Sequence, residues 1–444
     1  MIAGPPIARK DRSTSHDHIR AREADACMRQ KTSLPAIIDR PAAPSRRSLR
    51  GLDWFVFSIA NVQTGFGPFI AIYLTDQKWT QVDIGMLLTV GGLVALVGQV
   101  PGGALVDAVR SERRISMAAV AIIAVSALLL TLWPILAVVL AAQVLHAAAS
   151  CVIGPAIAAI SLGLVGHFAI ADRLGRNACF ASIGNGLSAA AMGAIGYYVT
   201  NQAVFILTAA LCVPTIVALA YIRDEEIDPA RAHGGIPDKS HGELASEWAF
   251  VRSIVGNRPL MIFAGAVVLF QLANTAMLPL IGSTVTMRSS HMATVLVAAC
   301  IVVPQILVAL SSPWVGHRAQ LWGRRPLLLI GFAALPLRAV LVATTADPYW
   351  LVAVQALDGL SAAVLGVLVP LVIADTTRGT GHFNLAQGVV GAAVGIGASF
   401  STTLAGYWTD HYGSSVAFLG LAGIALLGLG LVATLMPETR PENR

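Results

Sequence analysis

The chain has 444 residues, of which 56% are hydrophobic and 12% charged, and its formal net charge is +6. A soluble domain carries about a quarter charged residues, so the composition excludes a water-soluble globular protein and points to a polytopic membrane protein. Cys27, Cys151, Cys179, Cys212 and Cys300 show no paired or CxxC spacing, which argues against disulfides and structural zinc.

Residues 1–50 are polar, Arg-rich and Pro-containing, without the apolar core and small-residue cleavage site of a signal peptide. They read as a basic, disordered cytoplasmic tail, with Met28 as an alternative start and the first apolar stretch as the membrane-entry signal. His16 and His18 form an HxH in this tail, an incidental spacing that gives no reason to expect a metal. Twelve apolar stretches follow, each near the roughly 20 residues that carry a helix across about 30 Å of hydrocarbon. They are predicted at 52–74, 82–106, 115–133, 135–163, 178–199 and 203–221, then at 259–284, 291–314, 326–345, 349–374, 385–408 and 414–436, giving spans 1 to 12.

Cytoplasmic loops retain Lys and Arg, whereas exported loops carry few. With the N-terminus inside, 27 of the 30 basic residues fall on one face, eleven in the tail and sixteen in loops and C-terminus. Lys78 and Arg288 fall on the other face, and Arg338 lies within span 9. A missed or invented helix would scramble this alternation, so both termini are expected in the cytoplasm of a bacterium, at its inner membrane. Topology accounts for the positive charge. The expected partner is the lipid bilayer, and no nucleic acid is implied.

The two halves spell one sparse pattern about 212 positions apart. Gln63, Thr64 and Pro68 recur as Asn274, Thr275 and Pro279; Pro101 and Gly103 as Pro313 and Gly316; Gln143 and Gly154 as Gln355 and Gly366. Between the halves, DEEIDPARAHGGIPDKSHGE breaks the hydrophobic pattern. The expected organisation is a 51–222 bundle, a 223–258 cytoplasmic linker, a 259–436 bundle and a 437–444 tail. Six crossings per half insert both copies the same way up, as parallel repeats around a shared central site. Gly and Ala crowd spans 5 and 11, in GNGLSAAAMGAIG and GVVGAAVGIGASF. Such stretches let backbones approach and are read as seams between the bundles, or as plain space filling.

At the inner end of span 8 the chain reads GHRAQLWGRR, which resembles the loop signature of the major facilitator superfamily, roughly Gly-x-Leu-Ala-Asp-Arg-x-Gly-Arg-Arg. Gly316, Gly323, Arg324 and Arg325 fit, while Gln320 occupies the Asp position. After span 2, GALVDAVRSERR matches at Gly103, Leu105 and Asp107, with Arg113 and Arg114 two residues late. The resemblance covers about residues 50–440. It implies an all-α membrane fold of twelve transmembrane helices in two parallel six-helix repeats, with spans 1, 4, 7 and 10 around a central cavity. These loops are the expected cytoplasmic gate: Gly permits close approach, and an acid near a helix end can hold an Arg across the seam. The alternative is that Arg113, Arg114, Arg324 and Arg325 only enforce topology. Drug exporters of this superfamily commonly carry an RxxQG-like segment in span 4, where this chain has QVLHA, and a Gly-Pro pair in span 5, where it has no Pro.

Ionised side chains inside a membrane are costly and usually face a cavity or a partner. Gln143 and His146 lie three apart on span 4, and Gln355 and Asp358 repeat that spacing on span 10, so each pair shares a helix face. Asp358 and His146 are the proton-coupling candidates, with an ion pair to Arg338 and a packing role as their respective alternatives. Arg338 is read as a partner for Asp358, a side chain reaching for a polar layer, or an anionic-substrate contact. The repeat matches Gln63, and not Asn61, to Asn274. Gln63, Gln143, Gln271, Asn274, Gln355 and Arg338 are therefore the substrate-cavity candidates. Pro68 and Pro279 are the expected helix bends, with simple helix-end placement as the alternative. Gln99, Asn185, Gln305 and Gln387 are read as interhelical glue in preference to substrate contacts.

The chain has no Walker-type, HEXXH or GXSXG segment, so neither a nucleotide, another cofactor nor an enzymatic activity is expected. The pattern leans to a monomeric secondary carrier exporting a small molecule in exchange for protons. Proton-linked or facilitated uptake of a nutrient or metabolite is the rival, and a non-transporting sensor of the same fold the third reading.

Overall fold

The computed structural model describes residues 44–440 apart from 67, 133, 236–255, 282–292 and 346, together with Gly4. The chain divides into Met1–Ala43 and Pro44–Arg444, and the fold described is that of the second unit. His16, His18, Cys27, Met28 and Arg288 lie outside the described residues.

All regular structure among the described residues is helical, the form that pairs every backbone N–H and C=O within its own segment where lipid offers no partner. Span 1 runs as Arg46–Thr64 and Pro68–Asp76, span 2 as Gln81–Ala108, span 3 as Glu112–Leu132 and span 6 as Asn201–Tyr221. Spans 4 and 5 share one helical path, Leu136–Tyr198, broken at Gly166 (φ 68, ψ 176), a backbone conformation that favours glycine. In the second repeat, span 7 is Arg258–Asn274, span 8 Ala293–Trp322, span 9 Arg325–Thr344, span 10 Pro348–Val354 with Ala356–Thr376, span 11 Phe383–Tyr412 and span 12 Ser414–Leu435. Ten of these paths are long and apolar enough to cross a membrane. Dividing spans 4 and 5 at Gly166 and adding the broken span 1 accounts for the twelve expected crossings.

Local sequence sets the ends. Ser45, Thr80, Thr200 and Asn257 each accept a backbone N–H three residues on, capping spans 1, 2, 6 and 7 and satisfying donors that the first turn leaves free. Span 1 is interrupted after Thr64 and span 7 after Asn274, with Thr275 as the C-cap, and each resumes as helix within a turn, at Pro68 and at Met277. Thr64 and Thr275 each sit four residues before the repeated prolines Pro68 and Pro279, where a proline ring meets the i−4 carbonyl. The loop expected at 164–177 is instead helical except at Gly166. Its Arg173 and Asn177 are held by side chains of spans 1 and 4, which favours a helix over a loop.

Two hydrophobic cores form. One is built from residues between Leu52 and Ala232; the other joins residues 260–436 with Ala158, Leu162, Ile170, Ala171 and Leu174 of spans 4 and 5. The bundles meet along two matched seams, span 2 against span 11 and span 5 against span 8. A Cβ on Gly103 would collide with the Asn384 carbonyl and one on Gly388 with the Gln99 carbonyl; Gly316 likewise meets the Ala171 carbonyl and Gly175 that of Ser312. Gly388, Gly391 and Gly395 of span 11 thus lie against span 2 in the seam, whereas Gly397 packs on the Val268 carbonyl of span 7. In span 5 the tight approach is at Gly175, upstream of GNGLSAAAMGAIG, whose Gly184 packs on Phe57 of its own bundle.

Candidate functional site

The helix ends that carry the basic loops form one face, and there the two bundles are latched. Asp107, at the end of span 2, accepts from Asn384 Nδ2 and from the Leu385 backbone N–H, both at 2.8 Å. Its carboxylate therefore caps the first turn of span 11, where anions are favoured, and its partner is a helix end and not the arginine expected. In the other seam Gln320 Nε2 donates to Asp172 Oδ2 at 3.1 Å and to the Phe168 carbonyl at 3.2 Å. Asp107 and Gln320 are repeat-mates, as are Asn384 and Asp172, so each seam holds one acid and one amide with the two chemistries exchanged.

The arginines of the signature stay within their own bundles. Arg113 pairs with Asp224 at 2.9 Å and donates to the Ile222 carbonyl, and Arg114 is exposed. Arg324 pairs with Asp375 at 2.8 Å, while the backbone N–H groups of Arg324 and Arg325 donate to Glu438. Gly323, at φ 91, makes the turn before span 9. Of the expected gate residues, Gly103, Asp107, Gly316 and Gln320 reach across the seams; Arg113, Arg324 and Arg325 brace the helix ends behind them, and Arg114 is exposed. The described part of the linker adds a bridge: Asp228 N–H donates to Gly163 O, and the carbonyls of His233 and Gly234 accept from Phe383 and Gly379. His233 Nε2 also lies 3.2 Å from Glu112 Oε1.

Beyond this floor, between the bundles, lies a cavity of about 520 Å³. Its polar wall consists of Gln99, Asn177, Asn185, Gln305 and Gln387, with Ser182 bonded to Gln305, and no charged side chain among the described residues lines it. None of Gln63, Gln143, Gln271, Asn274, Gln355 and Arg338 is in that wall. Four of the amides read as glue line it instead. Of the expected cavity residues, Gln143 is buried against Gly91 of span 2 and Gln271 accepts from Thr275, both within their own bundles, and Gln63 is half-buried on span 1. Asn61 donates to the Phe57 carbonyl and lies outside the wall as well.

Side chains of spans 7 and 10 converge on Arg338 of span 9. This guanidinium, 1% exposed, donates to Asp358 Oδ1 at 2.5 Å and to Gln355 Oε1 and Asn274 Oδ1 at 2.8 Å each. Gln355 sits at the break in span 10 and reaches the Cys300 carbonyl of span 8. Arg338 reaches inward, with its charge satisfied by an acid and two amides, and not toward a membrane surface. Among the described residues the matching place in the first bundle carries no ion pair. There His146 stacks on Phe66 at the break in span 1, centroids 3.7 Å apart and planes 8° from parallel, with Ser150 Oγ 3.3 Å from Nε2.

A second buried network escaped the sequence reading. Asp53 on span 1 accepts from Arg173 at 2.6 Å and from Arg176 at 2.7 Å. Arg173 continues to Asn177 and Asn177 to Ser161, both at 2.8 Å. Asp53 and Arg173 have no charged repeat-mates, so the internal repeat gave no signal. The Asp172 and Asn384 latch was findable, because those residues stand at the repeat offset but lie in stretches read as loops.

Similarity to known proteins agrees with this architecture. A sequence profile of the Major Facilitator Superfamily matches residues 54–335 and 265–444. An uncharacterized MFS-type transporter of Mycobacterium tuberculosis is 39% identical over 394 residues, spanning 88% of this chain and 94% of that one. Among solved structures, FucP in its outward conformation superposes with a TM-score of 0.67 at 14% identity, covering 87% of this chain and 97% of that one. The human organic anion transporter MFSD10 gives 0.64 at 12% identity, covering 87% and 99%. With its duplicated bundles, matched seams and profile match along nearly the whole described length, the chain belongs to the major facilitator superfamily.

Proposed function

We propose that this membrane transporter exports a small molecule in exchange for protons by alternating access, as a monomer in the inner membrane of a bacterium with both termini cytoplasmic. Transport in place of enzymatic catalysis follows from the family; direction, coupling and substrate are the proposal. The charge alternation supports the orientation, since the latched face carries the basic loops. In that orientation the observed state is closed toward the cytoplasm. The wall of amides and apolar side chains suits a neutral or weakly polar amphipath. The neighbour described as an organic anion transporter would set a different substrate class, which a wall without a cation does not favour.

The observation that carries the coupling is the Arg338–Asp358 pair, at 2.5 Å, with the Asp358 side chain 24% exposed. A proton on Asp358 cancels the charge that holds Arg338 Nη1 and leaves the guanidinium on two amide oxygens. The tie between spans 9 and 10 weakens, and the bundle is free to repack as the opposite face closes. His146, the repeat-mate of Asp358, is the second proton-exchanging group and a relay candidate. The test uses everted vesicles with an imposed pH gradient and a panel of amphipathic dyes. Asp358→Asn is expected to lower gradient-driven flux about tenfold or more while dye exchange without a gradient persists. Unchanged coupling in this variant removes the proposal, and gradient-driven accumulation only in right-side-out vesicles selects uptake instead.

A further inference from the structure

On the outer flank of the first bundle, away from the central cavity, spans 1 and 6 enclose a groove of about 520 Å³. Arg47, Arg50 and Trp54 line it from span 1, and Pro214, Val217 and Tyr221 from span 6. The spacing puts Arg47, Arg50 and Trp54 on one helical face, and the span 6 residues repeat at three and four. Gly51 lets the helices close beneath: a Cβ there would lie 3.0 Å from Ile222 and 3.1 Å from the Ala218 carbonyl. The groove therefore has a charged mouth at the basic face and an apolar trough running into the membrane.

Its walls face outward, with Trp54 58%, Val217 50% and Tyr221 52% exposed. Arg47 holds its guanidinium 5.2 Å from the Tyr221 ring centroid. Among the described residues neither Arg47 nor Arg50 has a carboxylate partner. The nearest acid along span 1, Asp53, is turned inward and held by Arg173 and Arg176. Glu226, at the same end, accepts from Ser45 and pairs with Arg223. Two cations beside an interfacial Trp and Tyr, over a trough that ends in hydrocarbon, complement a molecule with an anionic head and an apolar tail.

We propose that this groove is a binding site for an anionic phospholipid, its phosphodiester held between Arg47 and Arg50 and one acyl chain lying along Trp54, Pro214 and Val217. The test is native mass spectrometry of the full chain in detergent, titrated with palmitoyl-oleoyl phosphatidylglycerol or with the phosphatidylcholine of the same tails. About tenfold tighter retention of phosphatidylglycerol is expected. Arg47→Gln with Arg50→Gln should abolish that preference, whereas Arg46→Gln, which removes one charge from the same helix outside the groove, should keep it. Tail-brominated phosphatidylglycerol should quench tryptophan emission less in Trp54→Phe than in the parent chain, and millimolar inorganic phosphate should not displace the lipid. Equal retention of the two lipids, an undiminished preference in the double variant, equal quenching in Trp54→Phe, or displacement by phosphate alone overturns the proposal.

Discussion

Arg338 shows what one buried charge demands. Its side chain is 1% exposed and its guanidinium is met by one carboxylate and two amides, the arrangement that makes a desolvated cation tolerable. Removing one partner strands the other. Arg338→Met is expected to destabilise the folded protein by about 3–5 kcal/mol, read by chemical unfolding in detergent. Arg338→Met with Asp358→Leu should recover most of that loss, because neither charge is then left alone. A double variant no more stable than the single one would show that the guanidinium's amide contacts, and not its pairing, hold the bundle. The sequence could name Arg338 and Asp358 as partners because both are charges inside apolar helices. It could not place Asn274 and Gln355 on the same guanidinium, since that convergence depends on how spans 7, 9 and 10 pack.

At the level of helices, the glycines that matter are those whose missing Cβ lets two backbones touch. Gly103 against Asn384 and Gly316 against Ala171 do so in the two seams, and each is followed along its helix by the side chain that latches the same seam. Gly103→Ala inserts a methyl against a backbone carbonyl that cannot step aside as a side chain can, at a cost of about 1–3 kcal/mol to the closed seam. Spin labels at Arg114→Cys and Arg378→Cys, both exposed on the basic face, should then report a longer mean distance than in the parent chain; an unchanged distribution would mean that the seam does not govern closure. The repeat marked Gly103 and Gly316 from sequence, because a glycine fixed at one offset in two copies signals a shared packing need. Residues 172 and 384 went unread, since they fall where apolar periodicity ends and side-chain direction is no longer constrained by lipid.

Over the whole molecule, alternation of charge is the feature that lipid imposes most directly. Lys78→Cys and Arg114→Cys are expected to react with a membrane-impermeant maleimide from opposite sides, Arg114→Cys only in everted vesicles; labelling of both from one side would overturn the twelve-span orientation. The number of crossings, their order and the duplication were readable from the chain because each follows from a one-dimensional requirement: about 20 apolar residues per span, basic loops retained on one face, and polar marks repeated at one offset. Which amides line the cavity was decided only in three dimensions. Gln143 and Gln355 have the helical spacing expected of cavity residues, yet Gln143 packs on Gly91 and Gln355 binds Arg338, while Gln99, Asn185, Gln305 and Gln387 face the space between the bundles. Periodicity says which residues share a helix face; it does not say toward which neighbour that face is rotated, and the rotation is set by packing between different helices.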